Sequence, residues 1–491
     1  MKQFNKKFII MLMSIIVTIT SLHYNYELIY ANQVPQEQQP SLWALEDIQM
    51  LQHVYQFIEP SMFRDYKSEA TKEQLYTIGV NLYEKLSNTI ITIESKNSNY
   101  SESIQKANKI NLFVTNMEDT NLLEPITRND CISMLYKIIS LLESTYEDFK
   151  IDSNLTFDDA STIPSESMEA VQYFVFNKLI KGSNNKLHLL NPCSKEQLLS
   201  LVTRTFEYYV QKNDIAAKGA FWKVSGGKST VYLLGSIHIA DSSIYPMNND
   251  IQNAFDESDI LAIEANILED KEGIAYMQQL MFYTDGTTIE KVLSKETYDL
   301  YVAKMESYGV NKAKYDLFKP WGAALAIQNT ETAKDNIVGI LGVDNFYMIQ
   351  AIYKKPIVEI EGIKFQADLF DSFSPELQET FLKSVLTPQV SDDNNEAVST
   401  TESIKKMLEA WKAGDVKSLE KMLAFDETSN DEFSKKFWID RNNHMFDTIL
   451  KYVNDESNKT YFVIVGAGHM VSNTGIVNQL QEKGYTVTQI K

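Results

Sequence analysis

Two textures of hydrophobic and polar positions divide this 491-residue chain. Between residues 41 and 212, apolar residues recur at spacings of three and four, the signature of amphipathic helices. The pattern falls into three similar units. The first reads SLWALEDIQMLQHVYQFIEP and then EATKEQLYTIGVNLYEKL. The second reads SESIQKANKINLFV and then EPITRNDCISMLYKIISLL, and the third SESMEAVQYFVFNKLIKG and then NPCSKEQLLSLVTRTFEYY. Each unit predicts a helix, a loop and a second helix, so the segment is an all-α array of three repeats. Thr71, Thr127 and Ser194 stand where a hydroxyl can cap the free amides of the second helix. Behind them Leu75, Ile78 and Leu82, and likewise Ile132, Leu135 and Ile139, form the apolar stripes.

From residue 216 the period changes. STVYLLGSIH predicts a strand, MNNDIQNAFDES a helix and DILAIEAN a strand. VDNFYMIQAIYKK predicts a helix and KPIVEIEG a strand. A long helix is expected over 432–453, then a strand in TYFVIVGAGH, a helix in TGIVNQLQEKG and a last strand in YTVTQI. Near-continuous apolar strands alternating with helices indicate an α/β domain, its sheet covered by helices on both faces. All-helical blocks at 289–329 and 375–423 read as insertions or a cap. The domain plan is a leader at 1–31, a polar Pro/Gln-rich linker at 32–40, the repeats at 41–212 and the α/β domain at 216–491.

The leader reads MKQFNKKFIIMLMSIIVTITSLHYNYELIYANQ. Lys2, Lys6 and Lys7 precede an apolar run at 8–22, of signal-peptide length and short for a membrane span. A cleaved signal peptide is expected, with a retained N-terminal membrane anchor as the alternative. Both place the remainder outside the cytoplasmic membrane, extracellular or at the cell wall. No cysteine lies in the leader, which excludes a lipoprotein anchor. The net charge of -20 argues against nucleic acid as a partner. Cys131 and Cys193 could pair as one disulfide in an exported protein, but they fall at unmatched positions of different repeats and are expected as buried thiols.

The chemistry concentrates on two G-x-x-H stretches. VYLLGSIH ends on His238 behind Gly235, and YFVIVGAGH ends on His469 behind Gly466. Each follows an apolar strand, and open α/β sheets hold ligands at the carboxyl ends of strands. Glu264 ends a third such strand. Two imidazoles and a carboxylate are a frequent ligand set for a catalytic divalent metal. Each residue also has a structural reading, as a hydrogen-bonded histidine or an ion-pair partner.

The order of motifs resembles the TraB/GumN family, which includes the Tiki metalloproteases. VYLLGSIHIADSSIYPMNNDIQNAFDESDILAIEAN is similar to its opening, GVDNFYMIQAIYKKPIVEIEG to its middle, and DRNNHMF with VGAGHMVSNTGIVNQLQEKGYTV to its close. EIEG departs from the family's usual GLET at this point. The resemblance implies a metal-dependent peptidase or hydrolase with His238, Glu264 and His469 as metal ligands at its centre. The metal would be Mn²⁺, Co²⁺ or Zn²⁺ and the substrate a peptide, with a small secreted peptide as first guess. It implies that Arg441 holds a substrate carboxylate or oxyanion and that Asn442 orients a substrate amide. The two are about 100° apart on a helix, so one of them is expected to point squarely into the pocket. Asp344 and Glu361 would steady the histidines, Tyr245 would line the entrance, and His444 would be a solvated helix residue. The rival reading is a non-catalytic protein that sequesters a pheromone or haem. The N-terminal units resemble S-layer homology repeats, ITRND most closely, with Trp43 at a typical tryptophan position. That resemblance implies cell-wall polysaccharide as a partner and Arg128, Lys72 and Lys195 as contacts; the alternative is an array that only packs and spaces.

Overall fold

A computed structural model describes residues 39–93, 99–113, 117–143, 155–387, 389–390, 397–423 and 431–491. The expected leader lies outside the described residues, as does all of the linker except its last two positions. The chain divides into two compact units, one over Asn32–Ala216 and one containing Ala217–Lys491. Among the described residues no helix is long and apolar enough to cross a membrane.

In the N-terminal unit the three expected caps start the helices Lys72–Ser87, Arg128–Leu142 and Lys195–Lys212. The Thr127 hydroxyl accepts from the Asp130 amide at 3.1 Å, and the Asp130 carboxylate accepts from the Thr127 amide at 2.8 Å. Thr71 with Gln74 and Ser194 with Gln197 form the same reciprocal pair. Each satisfies two amides that would otherwise lack a partner. The residues before the caps close on one another in a ring. The Ala70 amide donates to the Cys193 carbonyl at 2.8 Å, Cys193 to Ile126 at 2.8 Å, and Ile126 to Ala70 at 2.9 Å. Three sequence repeats thus become a threefold arrangement of backbone bonds. Cys131 and Cys193 are buried free thiols.

The C-terminal unit is built on a mixed six-stranded sheet. Its strands are β1 (Ala220–Ser225), β2 (Thr230–Ser236), β3 (Ile260–Ile263), β4 (Ile357–Glu359), β7 (Thr460–Gly466) and β8 (Thr486–Gln489). A separate two-residue ribbon pairs β5 (Gln389–Val390) with β6 (Ala397–Val398). The spatial order is β4-β3-β7-β2-β1-β8. The first four run parallel, while β1 is antiparallel to both of its neighbours. Every residue of β3, and all but the first of β7, is buried. Successive side chains point to opposite faces, so both faces of the sheet centre are covered.

Three elements differ from the sequence reading. β1 was not expected; AFWKVS exposes Lys223 and Ser225 but buries three consecutive residues, which blurs the alternation. The strand in TYFVIVGAGH stops at Gly466, and Ala467–Val471 forms a short helix that carries His469. The helix expected over 432–453 is a π-helical turn at Ser434–Ile439 running into an α-helix at Asp440–Val453. The block expected at 289–329 contains the helices Ile289–Val292, Lys295–Ser307, Lys312–Tyr315 and Pro320–Ala333. That at 375–423 contains Pro375–Leu386, Thr400–Lys412 and Val416–Leu423.

Candidate functional site

The four parallel strands end at one edge of the sheet, and the site is built there. Ser236 at the end of β2 pairs with Gly466 at the end of β7, and Ile263 of β3 pairs with Ile464 of β7 and with Glu359 of β4. Within three residues of these strand ends stand His238, His469, Glu264 and Glu361. Pairing of β3 with β4 continues past both ends: the amides of Glu361 and Gly362 donate to the Glu264 carbonyl at 3.0 and 2.8 Å. Glu264 and Glu361 therefore stand side by side.

Two glycines account for the tight approach of these chain segments. A Cβ on Gly235 would lie 3.0 Å from the Ala467 Cα, so glycine lets the His469 helix lie against β2. A Cβ on Gly342 would fall on the His238 carbonyl, at 2.2 Å. That contact, with the Val343 amide bonded to the Ile237 carbonyl at 3.1 Å, brings Asp344 in the first turn of Val343–Ala351 up to the His238 ring.

Both histidines are held through Nδ1. His238 Nδ1 lies 3.1 Å from Asp344 Oδ1, which also accepts from the Ser236 hydroxyl at 2.8 Å. His469 Nδ1 lies 2.6 Å from Asn442 Oδ1. The Asn442 amide donates to Ser472 and Thr474, at 3.4 and 3.1 Å, which turns its oxygen toward the ring. His469 Nδ1 must then carry the hydrogen, and Nε2 is left with its lone pair. The Nε2 atoms of both histidines are buried and have no hydrogen-bond partner. Trp438 lies against the His469 ring, centroids 4.8 Å apart. A side chain at Gly468 would collide with that indole.

The two rings differ electrostatically. Burial alone would push the His238 pKa down, but Asp344 and then Glu264 outweigh it and the net shift is upward. His469 faces Asn442, a neutral partner. Burial, with Arg441 and His238 nearby, drives its pKa well below the ordinary value, so it is neutral. Burial raises the Glu264 carboxyl, against the pull of Arg441 and His238. For Asp344 burial pushes upward too, but His238 and Ser236 hold it below the usual carboxylate range.

Arg441 is fully buried and ties the carboxylates together. Its Nε and Nη2 donate to Glu361 at 2.8 and 2.7 Å, and Nη2 also donates to Glu264 Oε2 at 3.0 Å. Gln366 Nε2 joins the same two carboxylates at 3.1 and 3.2 Å. The other Glu264 oxygen, Oε1, accepts from the Gly466 amide at 2.5 Å and lies 3.9 Å from His238 Nε2.

Several expected roles change with this geometry. The Arg441 fork lies on internal carboxylates rather than open to a substrate, with Nη1 left buried and unpartnered. Asn442 orients His469. Both side chains of the pair are engaged, although one was expected to point inward: Arg441 reaches Glu264 and Glu361 while Asn442 reaches His469. Asp344 steadies a histidine as expected, whereas Glu361 holds Arg441. Tyr245 is buried and donates to the Leu341 carbonyl at 2.7 Å, so it does not stand at an entrance. His444 is exposed, yet its Nε2 lies 3.1 Å from the Ile360 carbonyl and its ring stacks on Phe365. Gln366, Ser236, Ser472 and Thr474 were not foreseen. Only Gln366 left a trace in the sequence: it interrupts the apolar stripe Ile363, Ala367, Phe370.

The donor chemistry fits a divalent metal, since two buried imidazole nitrogens are held ready with no partner. The complete three-ligand cluster expected from the sequence is not formed: among the described residues no group of three or more His, Cys, Asp or Glu side chains is arranged to hold an ion. The Glu264 carboxylate is bonded to Arg441, Gln366 and Gly466, with Oε1 3.9 Å from His238 Nε2.

The sequence profile of the TraB/PrgY/gumN family matches residues 220–489, more than half of the chain. The chain belongs to the TraB/PrgY/gumN family. A metalloprotease TIKI homolog from Amphimedon queenslandica is 30% identical over 112 residues, covering 19% of this chain and 21% of that protein. The chain thus spans about a fifth of the length of the curated relative it matches. No solved structure matches. In this TraB/PrgY/gumN unit the matched region runs from β1 to β8, so all the groups at the sheet edge fall inside it.

The N-terminal unit carries a separate cavity of about 600 Å³, lined among others by Trp43, Arg128, Lys181, His188 and Arg204. Arg128 Nε there has no hydrogen-bond partner. The three positions expected to contact a wall polymer diverge. Lys72 pairs with Glu124 at 2.5 Å, and Lys195 is buried with Nζ 3.5 Å from the Arg64 carbonyl. Of the three, Arg128 lines the cavity.

Proposed function

We propose that the C-terminal unit is a metal-dependent peptidase or related hydrolase centred on His238, His469 and Glu264. The observation that carries this reading is the pair of buried, unpartnered Nε2 atoms, each on a ring whose Nδ1 is held by an oxygen acceptor. His238 and His469 would hold the ion, with Glu264 Oε1 beside them. When bound, a divalent ion supplies a Lewis acid that activates water and polarises a carbonyl. Asp344 and Asn442 keep the rings oriented, and Arg441 holds the Glu264 and Glu361 carboxylates in place. Similarity to a metalloprotease TIKI homolog supports peptide bonds as the target. Mn²⁺, Co²⁺ and Zn²⁺ all suit such a donor set. The test is mass-spectrometric analysis of a peptide library incubated with the chain loaded with each ion. Cleavage that disappears in both His238→Ala and His469→Ala supports hydrolysis. Ion binding without cleavage would favour the sequestering alternative.

The reading of the remainder is an exported protein retained at the cell wall. The basic and apolar leader supports export, and the threefold array with its cationic, tryptophan-bearing cavity supports a polyanionic wall polysaccharide as partner. Fractionation of cells and sedimentation with purified wall sacculi test the two parts separately.

A further inference from the structure

We propose that Gln366 is a positioning residue: with Arg441 it clamps the Glu264 carboxylate so that Oε1 stays turned to His238 and the Gly466 amide. This rests on the metal-dependent reading above. Glu264 and Glu361 are buried carboxylates whose Oε2 atoms accept from the same two donors. Arg441 Nη2 reaches them at 3.0 and 2.7 Å, and Gln366 Nε2 at 3.1 and 3.2 Å. The four groups form a closed diamond of two donors and two acceptors. One guanidinium offsets one of the two negative charges. The amide adds a second donor to each oxygen without adding charge.

The clamp determines which Glu264 oxygen faces the histidines. With Oε2 fixed from two directions, rotation about the last side-chain bond is blocked, and Oε1 is presented 3.9 Å from His238 Nε2. Gln366 reaches this place because Gly362, with φ of 87°, turns the chain sharply from β4 into the helix Ile363–Asp371. The turn sets position 366 under the two carboxylates, inside a stripe otherwise made of Ile363, Ala367 and Phe370. A glutamine that served packing alone would be matched there by an apolar residue of its size. Its own Oε1 is buried without a partner, so the site retains this amide at a cost.

The experiment titrates the full-length chain with Co²⁺ and follows the visible absorption, which reports the ligand set. Gln366→Met conserves volume and removes the donor. Near-UV circular dichroism confirms that it folds. Loss of a side chain that orients a metal ligand typically weakens affinity about 10–100-fold. Gln366→Met is expected to bind Co²⁺ at least about tenfold more weakly, with a changed band. On any peptide the wild type cleaves, kcat is expected to fall while KM holds. If Gln366→Met does not fold, Gln366→Asn draws the amide back by one methylene and is expected to loosen binding in the same direction. A variant that titrates like wild type overturns the inference alone. A wild type that develops no Co²⁺ band overturns the metal reading and the inference with it.

Discussion

Replacing Arg441 by methionine isolates the electrostatic core of the site. Arg441 is fully buried and makes three charge-assisted bonds, two to Glu361 and one to Glu264. Methionine fills much of the same space and leaves two neighbouring buried carboxylates without a cation. Breaking a buried pair by removing one partner costs about 3–5 kcal/mol. For a unit the size of Ala217–Lys491 that lowers the midpoint of thermal unfolding by roughly 5–10 °C. The loss must depend on pH in a definite direction. Burial already raises the Glu264 carboxyl, and Arg441 is the largest influence pulling it back. Without that cation the folded-state pKa of the Glu264 carboxyl rises further above the unfolded value of about 4.3. The folded variant then binds a proton that the unfolded chain releases, so its stability falls as pH rises and recovers as pH falls. Each unit of upward shift corresponds to about 1.4 kcal/mol. Calorimetry of both full-length chains at about pH 5 and about pH 8 reads this as a deficit that grows with pH. A midpoint within about 2 °C of wild type at both values would refute the reasoning, since it would mean the carboxylates never depended on Arg441. A large deficit that does not change with pH would refute its electrostatic part.

Other consequences follow from single contacts. Asn442→Leu removes the acceptor that places the hydrogen on His469 Nδ1, and long-range nitrogen–proton correlation spectra should then show mixed ring tautomers in place of one. Asp344→Asn removes the main upward influence on His238, so the ring's pKa, read by NMR titration, should drop. Because that pKa is raised in the folded wild type, the stabilisation from this pair is full below the unfolded value of about 6.5 and is lost as pH rises through the folded value; the variant should lack this dependence. In the N-terminal unit, Thr127→Ala should cost about 1 kcal/mol in urea unfolding, as loss of a helix cap does. Arg128→Ala should weaken sedimentation with wall sacculi, while Arg441→Met should leave it unchanged.

Much of the framework was legible because it rests on local rules. A hydroxyl followed by a periodic apolar run is enough to place Thr71, Thr127 and Ser194, and all three cap helices. Apolar runs ending in glycine were enough to place His238 and His469 at strand ends. The ring of bonds among Ala70, Ile126 and Cys193 was not legible, since it joins backbone atoms remote in sequence. The partners inside the site were hidden for the same reason. Nothing local to Arg441 distinguishes a guanidinium that meets a substrate from one that meets Glu264 and Glu361, 177 and 80 residues away in sequence. Asn442 looked like a substrate ligand because its histidine comes 27 residues later, on a helix that the sequence suggested was still strand.

The central claim is that His238 and His469 hold one divalent ion through their free Nε2 atoms. Anomalous diffraction from crystals of the full-length chain grown with Mn²⁺, Co²⁺ or Zn²⁺ tests it most directly. The account predicts a single strong peak bonded to both Nε2 atoms, beside Glu264, with Asp344 and Asn442 still on the opposite ring nitrogens. A fully occupied ion elsewhere, or crystals in which both nitrogens stay unbound at saturating metal, would contradict it.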